Sequence, residues 1–184
     1  MKRGINTKCL HLEDEEGCFD NYGSLSYPIY QTATYAHPAV GESTGYDYSR
    51  LQNPTREHLE KIVAALEDGI DAIALSSGMA AITLLMEIFK PGDHVIVDSD
   101  LYGGSIRLFS NVSEKNNITF SRADCHKEKV EDYITENTKA IYIETPTNPM
   151  MNVTDIEAMA KIAHERGLLL IVDNTFMSPY FQNP

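Results

Sequence analysis

Hydrophobic and polar positions alternate between helical and strand-like spacing over the last two thirds of the chain. Asn53 followed by Pro54 is a typical helix start, and apolar residues then recur at positions 59, 62, 63 and 66. This spacing predicts an amphipathic helix that closes with Gly69 as its C′ residue. A short strand over 72–75 and a second helix over 76–90 should follow. That helix is apolar on nearly all sides, which predicts burial.

The same alternation continues to the end of the chain. Apolar runs predict four further strands, at 94–98, 118–121, 140–144 and 168–172. Between them the pattern predicts helices from about Gly103, over 127–136, and after a capping box at 154–157 that Gly167 closes. The strand 168–172 is apolar throughout, so we expect both of its faces to be buried.

Strands that alternate with helices indicate an α/β fold with a mostly parallel, doubly wound sheet covered on both sides. The first fifty residues lack this periodicity and are rich in Tyr, Gly, Ser and Pro. We therefore expect two parts, an extended N-terminal arm over 1–52 and a domain over 53–184.

Charge and composition exclude several classes of function. The 15 basic and 27 acidic side chains give a formal charge of -12, which disfavours nucleic acids and anionic membranes as partners. The sequence contains no run of eighteen apolar residues and no apolar leader, so we expect a cytoplasmic protein without a membrane span. The three cysteines and six histidines show no metal-ligand spacing, and no metal is expected.

Unusual polar residues follow the predicted strands, and ligands of open α/β sheets bind beyond the carboxyl ends of strands. Ser76 to Met79 open a helix whose free N–H groups suit a phosphate. Tyr102 precedes two glycines, which would let something flat approach the backbone. A loop with two prolines aims Glu144 and Asn148, and Asp173 ends an apolar strand.

Taken one at a time, these features have ordinary structural explanations, namely capping turns, loops and a solvated segment. Tyr48 and Arg50 add a hydroxyl and a guanidinium that could share one phosphate. Together they provide a phosphate cradle, a stacking aromatic, an acid for a ring nitrogen and an amide for a phenolic oxygen. Pyridoxal 5'-phosphate (PLP) requires this combination, because an adjacent carboxylate keeps its ring nitrogen protonated.

The sequence resembles the Cys/Met-metabolism family of fold-type-I PLP enzymes, which includes cystathionine γ-synthase, cystathionine γ-lyase, methionine γ-lyase and O-acylhomoserine sulfhydrylases. The matching motifs occur in the family's order over nearly the whole chain, at 28–32, 48–55, 76–81, 102–104, 144–149 and 172–175. The resemblance implies the aspartate-aminotransferase-like large domain of that fold, here in part and without the C-terminal small domain.

The resemblance also implies a role for each matching residue. Tyr102 would be the catalytic residue that stacks on the cofactor ring, and Asp173 would pair with the ring nitrogen. The other implied cofactor contacts are Tyr48 and Arg50 from the neighbouring subunit, and Ser77, Gly78, Met79, Asn148 and Thr175 from the same subunit. Arg107 and Glu144 would contact the substrate.

The implied activity is γ-elimination or γ-replacement on cystathionine, O-acylhomoserine or methionine-type substrates, which are small sulfur-containing amino acids or their precursors. Leu51 argues against an O-succinyl substrate, because some γ-synthases carry a second arginine there. The family's usual assembly is a homotetramer, a dimer of dimers with sites shared across the dimer interface. Its cofactor-bearing lysine lies beyond the Asp173 strand, so we expect an inactive fragment of an enzyme about twice this length.

Three alternatives stay open. One is a β-lyase or an O-acetylhomoserine sulfhydrylase of the same family, and another is a truncated, non-catalytic partner of full-length chains. The third is a nucleotide-binding domain, although its glycine fingerprint is absent from the sequence.

Overall fold

A computed structural model describes residues 4–11 and 22–184, so the predictions that involve Cys18 lie outside the described residues. The chain divides into two compact units, residues 1–74 and 75–184. The boundary predicted between an arm over 1–52 and a domain over 53–184 stays a prediction. In the described residues, no helix is both long enough and apolar enough to cross a membrane.

The described part of the first unit contains two helices, α1 (Ile5–Lys8) and α2 (Pro54–Leu66). The predicted start of α2 is confirmed, because the Asn53 side chain accepts a hydrogen bond from the Thr55 N–H. Asn53 also donates to the Tyr30 carbonyl, which ties the extended segment before α2 to the start of the helix.

The end of α2 differs from the prediction. Asp68, with φ of 50°, takes the left-handed position expected of Gly69. A short polar side chain makes this conformation tolerable.

The second unit is built on a parallel sheet of four strands in the order β2-β1-β3-β4. Its elements in chain order are α3 (Gly78–Met86), β1 (His94–Asp98), α4 (Gly103–Leu108), β2 (Thr119–Ala123), β3 (Thr138–Glu144), α5 (Ile156–Glu165), β4 (Leu169–Asp173) and α6 (Ser178–Phe181). A π-helical turn over Phe109–Ser113 and short 3-10 turns over Glu114–Asn116 and Val130–Tyr133 complete it.

The sheet separates two hydrophobic clusters, because successive strand residues point to opposite faces. On one face, Val95 and Val97 of β1 pack with Met86, the last residue of α3, and with Phe89 in the turn that follows. On the other face, Ile96 packs with Met159 and Ala163 of α5. The predicted α/β fold with a parallel, doubly wound sheet is therefore confirmed.

One element predicted before β1 is absent, and another is shorter and less buried than predicted. Residues 72–75 form no strand, because no described strand runs beside them to complete a hydrogen-bonded ladder, and Ile73 is 70% exposed. Helix α3 ends at Met86 instead of about Lys90, and it is not buried on all sides. A single sheet covers only one side of it and leaves Leu84 exposed.

The helix predicted between β2 and β3 is much shorter in the structure. The helix over 127–136 is only the turn Val130–Tyr133, because the Glu128 carboxylate accepts from the Asp124 N–H and the Tyr133 hydroxyl and so competes with helical bonding.

Strand β4 is not buried on both faces, because it lies at the edge of the described sheet. Helix α5 is capped by Asp155 rather than by Thr154, whose N–H instead donates to the Thr145 hydroxyl.

Candidate active site

The carboxyl ends of β1, β3 and β4 and the start of α3 surround one cavity of about 340 Å³. This location agrees with the rule for ligand sites in open parallel sheets. Eight residues predicted from the sequence line it: Ser77, Gly78, Met79, Tyr102, Glu144, Asn148, Asp173 and Thr175. Ile82, Pro146 and Phe176 complete the lining. Pro146 belongs to the 144–149 motif, whereas Ile82 and Phe176 carry no motif signal of their own.

The start of α3 offers free hydrogen-bond donors to the cavity. The Ser77 side chain caps the helix by accepting from the Ala80 N–H at 3.1 Å. The N–H groups of Gly78 and Met79 have no acceptor in the part of the chain that the structure describes. A Cβ built on Gly78 would meet nothing within 4 Å, so an anion has room to approach these amides.

The aromatic ring of Tyr102 lines the cavity, and Gly104 gives it space. A Cβ on Gly104 would lie 2.5 Å from the Tyr102 ring and 2.7 Å from the Met79 sulfur. The expectation that both glycines serve the approach of an external flat group is therefore incomplete. Gly104 lets the Tyr102 ring and the Met79 side chain pack against its own backbone.

Asp173 presents a carboxylate whose orientation is held by neighbours. One oxygen accepts from the N–H and hydroxyl of Thr175, and the other accepts from the Tyr142 hydroxyl at 3.3 Å. Burial raises the pKa of Tyr142, and so does the negative charge of Asp173, so this phenol remains a donor. The role of Tyr142 was not predicted, and its only sequence signal is a polar group inside an aliphatic strand.

Glu144 is 5% exposed, and both of its oxygens are engaged. One accepts from the Tyr102 N–H and the other from the Asn148 N–H, each at 2.8 Å. Burial raises the pKa of Glu144, and the charges of Asp173 and Asp100 raise it further, while the two N–H donors oppose the shift. Each oxygen thus has a backbone donor, and the predicted contact of Glu144 with substrate stays a prediction.

A third carboxylate, which was not predicted, organises the loop after β3. Asp100 accepts from the Thr147 hydroxyl, from the Met150 N–H at 3.2 Å and from the Asn152 amide at 3.4 Å. The only sequence signal for this role of Asp100 is its position directly after strand β1. Its hydrogen-bond partners lie about fifty positions away in the sequence. No local motif encodes such partners.

Three predicted residues do not line the cavity. Tyr48 and Arg50 belong to the first unit, where the Arg50 guanidinium lies 5.1 Å from the centre of the Tyr48 ring. Arg107 is exposed on α4, and its guanidinium lies 3.5 Å from the position of a Cβ built on Gly103. Their predicted contacts with phosphate and substrate stay predictions.

The charge distribution of the cavity fits PLP. Asp173 suits a protonated ring nitrogen, and the free amides of Gly78 and Met79 suit a phosphate. Tyr102 offers a ring face for stacking, and Asn148 offers an amide. No lysine, arginine or histidine belongs to the described lining.

Comparison with known proteins agrees with this chemistry. Residues 6–184 match the family described as Cys/Met metabolism PLP-dependent enzyme. A cystathionine gamma-synthase/O-acetylhomoserine (thiol)-lyase of Bacillus subtilis is 53% identical, over 100% of this chain and 49% of that protein. A cystathionine gamma-lyase of the same organism is also 53% identical, over 88% of this chain and 43% of that protein.

Solved structures show the same similarity. The crystal structure of metB from Corynebacterium glutamicum has a TM-score of 0.89 and 43% identity, and the match covers 100% of this chain and 48% of that one. The cystathionine gamma-lyase from Lactobacillus plantarum complexed with L-serine has the same score and identity, over 97% of this chain and 46% of that one.

The fold and the cavity thus fit the class of α/β enzymes that bind PLP. More narrowly, the chain belongs to the Cys/Met-metabolism family of PLP-dependent enzymes. It spans about half the length of the curated relatives it matches.

Proposed function

We propose that the full-length protein is a PLP-dependent enzyme of sulfur amino-acid metabolism that carries out γ-elimination or γ-replacement. Its substrates would be cystathionine, O-acylhomoserine or methionine-type amino acids. The observation that carries this proposal is the cavity in which the Asp173 carboxylate, the Tyr102 ring, the Asn148 amide and the free N–H groups of α3 meet. The names of the relatives support the substrate class.

Each of these residues would perform a distinct physical task. The N–H groups of Gly78 and Met79 would bind the phosphate, and Tyr102 would hold the ring by stacking. Asp173, supported by Tyr142, would keep the ring nitrogen protonated. When bound, PLP supplies an electron sink that makes the substrate's α-proton removable.

Assembly and location extend the proposal. Tyr48 and Arg50 would reach the phosphate of a neighbouring subunit, which requires a homo-oligomer, and a dimer of dimers is the arrangement we propose. A cytoplasmic location is consistent with the free thiols of Cys9 and Cys125 among the described residues.

A β-lyase of the same family is the second candidate, because a Coxiella burnetii relative named cystathionine beta-lyase is 41% identical over 100% of this chain. L-cystathionine supplied to the purified full-length protein distinguishes the two. Release of cysteine and 2-oxobutyrate would support γ-cleavage. Release of homocysteine and pyruvate would instead show β-cleavage and contradict the γ-elimination proposal. Formation of cystathionine from O-acetylhomoserine and cysteine would show replacement. A folded, PLP-loaded protein that forms none of these products, and no 2-oxobutyrate from methionine, would be a non-catalytic partner.

The cofactor site is tested by Asp173→Asn, which keeps the shape of the side chain and removes its charge. We expect PLP affinity, measured by absorbance titration, to fall by roughly tenfold or more, the usual effect of losing a charge-assisted contact. Asp155→Asn is the matched control, since Asn caps α5 as well as Asp does. Equal affinities of the two variants would contradict the predicted role of Asp173.

A further inference from the structure

The buried carboxylate of Glu144 joins two loops that follow different strands. Its Oε2 accepts from the Tyr102 N–H, in the loop after β1, and its Oε1 accepts from the Asn148 N–H, in the loop after β3. Tyr102 and Asn148 are 46 positions apart in sequence, and the side chains of both line the cavity. One carboxylate therefore links the backbones that carry the aromatic ring and the amide.

Only an acceptor with two equivalent oxygens can make this link. A carboxylate accepts at both ends, whereas the amide of glutamine accepts at one end and donates at the other. Glutamine at position 144 would place an NH₂ group against the N–H of Tyr102 or of Asn148. Aspartate would keep the charge, but it is one methylene shorter and cannot reach both loops at 2.8 Å from the same backbone position.

The loop after β3 does not depend on Glu144 for its own fold. Asp100 accepts from the Thr147 hydroxyl and the Met150 N–H, and the Thr145 hydroxyl accepts from the Thr154 N–H at 3.0 Å. Loss of the Glu144 link should thus leave the loop folded. The distance between Tyr102 and Asn148 would then no longer be constrained by Glu144.

We propose that Glu144 is a positioning residue, which sets the separation of Tyr102 and Asn148 so that both contact the same bound cofactor ring. This inference rests on the proposed function, because it assigns PLP to the cavity. It replaces the predicted contact between Glu144 and substrate with an action through two neighbours. Because the spacing is already fixed, cofactor binding would not lose conformational entropy in ordering either loop.

The test compares Glu144→Gln with Glu128→Gln in the full-length protein. Glu128 is a matched control, because its carboxylate also accepts a backbone N–H, from Asp124 at 2.8 Å, and a hydroxyl, from Tyr133 at 2.9 Å. Amide hydrogen exchange without cofactor reads the link directly. We expect exchange at Tyr102 or Asn148 to accelerate roughly tenfold or more in Glu144→Gln and to stay unchanged in Glu128→Gln.

The second measurement is the circular dichroism induced in the PLP absorption band at saturating cofactor. A purely structural loss of stability would not change this signal, but a shift of Tyr102 against Asn148 would. We expect a reduced or inverted band, with at least roughly tenfold weaker PLP affinity, in Glu144→Gln only. If that variant does not fold, Glu144→Asp should show the same changes, because it can satisfy one loop but not both.

Three results would overturn the proposal, and they differ in meaning. Unchanged exchange at both amides would show that the link is not what holds the loops. Faster exchange with an unchanged band and affinity would show a link that does not serve the cofactor. A wild-type protein that binds no PLP would overturn the proposed function as well, whatever the exchange rates show.

Discussion

The two adjacent glycines at the start of α4 should respond in opposite ways to the same substitution. A Cβ on Gly104 would lie 2.5 Å from the ring of Tyr102 and 2.7 Å from the sulfur of Met79. A Cβ on Gly103 would meet only the end of the flexible Arg107 side chain, at 3.5 Å. Gly104→Ala and Gly103→Ala therefore form a matched pair within one helical turn.

The magnitude follows from the overlap. Non-bonded carbon atoms prefer separations of about 3.5–4.0 Å, so the new methyl group in Gly104→Ala would overlap the Tyr102 ring by about 1 Å. Overpacking of this kind costs about 1–3 kcal/mol. The higher helix propensity of alanine stabilises both variants by about 0.5–1 kcal/mol. This gain cancels in the comparison, so Gly104→Ala should be less stable than Gly103→Ala by roughly 1–3 kcal/mol.

Urea unfolding of the full-length variants, followed by far-ultraviolet circular dichroism, measures this difference. Gly103→Ala should unfold at the same urea concentration as the wild type or slightly higher, and Gly104→Ala at a lower one. PLP affinity should fall only in Gly104→Ala, because the displaced Tyr102 ring lines the cavity. Two variants of equal stability would refute the reasoning, since they would show that the Tyr102 ring moves aside at no cost.

Two further predictions concern buried polar groups. Burial lowers the pKa of His94, whose ring nitrogens bond to Thr138 and Ser121 at 2.8 and 2.9 Å, so the unfolded chain takes up a proton first as the pH falls. The contribution of neutral His94 to the free energy of unfolding, measured with urea, should be fully present above about pH 6.5 and decline below it. His94→Asn should flatten this pH dependence. An equal slope in the variant and the wild type would count against a neutral buried imidazole. Tyr142→Phe removes one donor to Asp173 and should weaken PLP binding by about threefold to tenfold in an absorbance titration, whereas an unchanged affinity would exclude support through this bond.

Local patterns were sufficient to predict most of the sheet. The strand over His94–Asp98 was predicted to the residue, because it is a short apolar run with a turn before it and a polar segment after it. The order of elements then implied parallel strands, whose carboxyl ends meet at one edge. For this reason the cavity contains five residues selected because they follow separate strands, namely Tyr102, Glu144, Asn148, Asp173 and Thr175. Ser77, Gly78 and Met79 lie at the start of α3, which no strand precedes directly.

Features that depend on distant partners could not be predicted in the same way. Residues 72–75 have the composition of a strand, but a strand also needs a neighbour, and none of the described strands provides one. The two bonds of Glu144 run to backbone N–H groups, which every residue except proline carries. The side chains of Tyr102 and Asn148 therefore give no sequence signal for these two hydrogen bonds.

The carboxylates at the carboxyl ends of β3 and β4 would couple the Glu144 link to the binding of a cationic ligand. Glu144 and Asp173 are register partners on β3 and β4, and the charge of Asp173 raises the pKa of Glu144. A cation seated against Asp173 would oppose that repulsion and lower the free-energy cost of keeping Glu144 ionised. Only the ionised form offers two acceptors without a competing proton. A protonated ring nitrogen would therefore strengthen the link that holds Tyr102 and Asn148 around it.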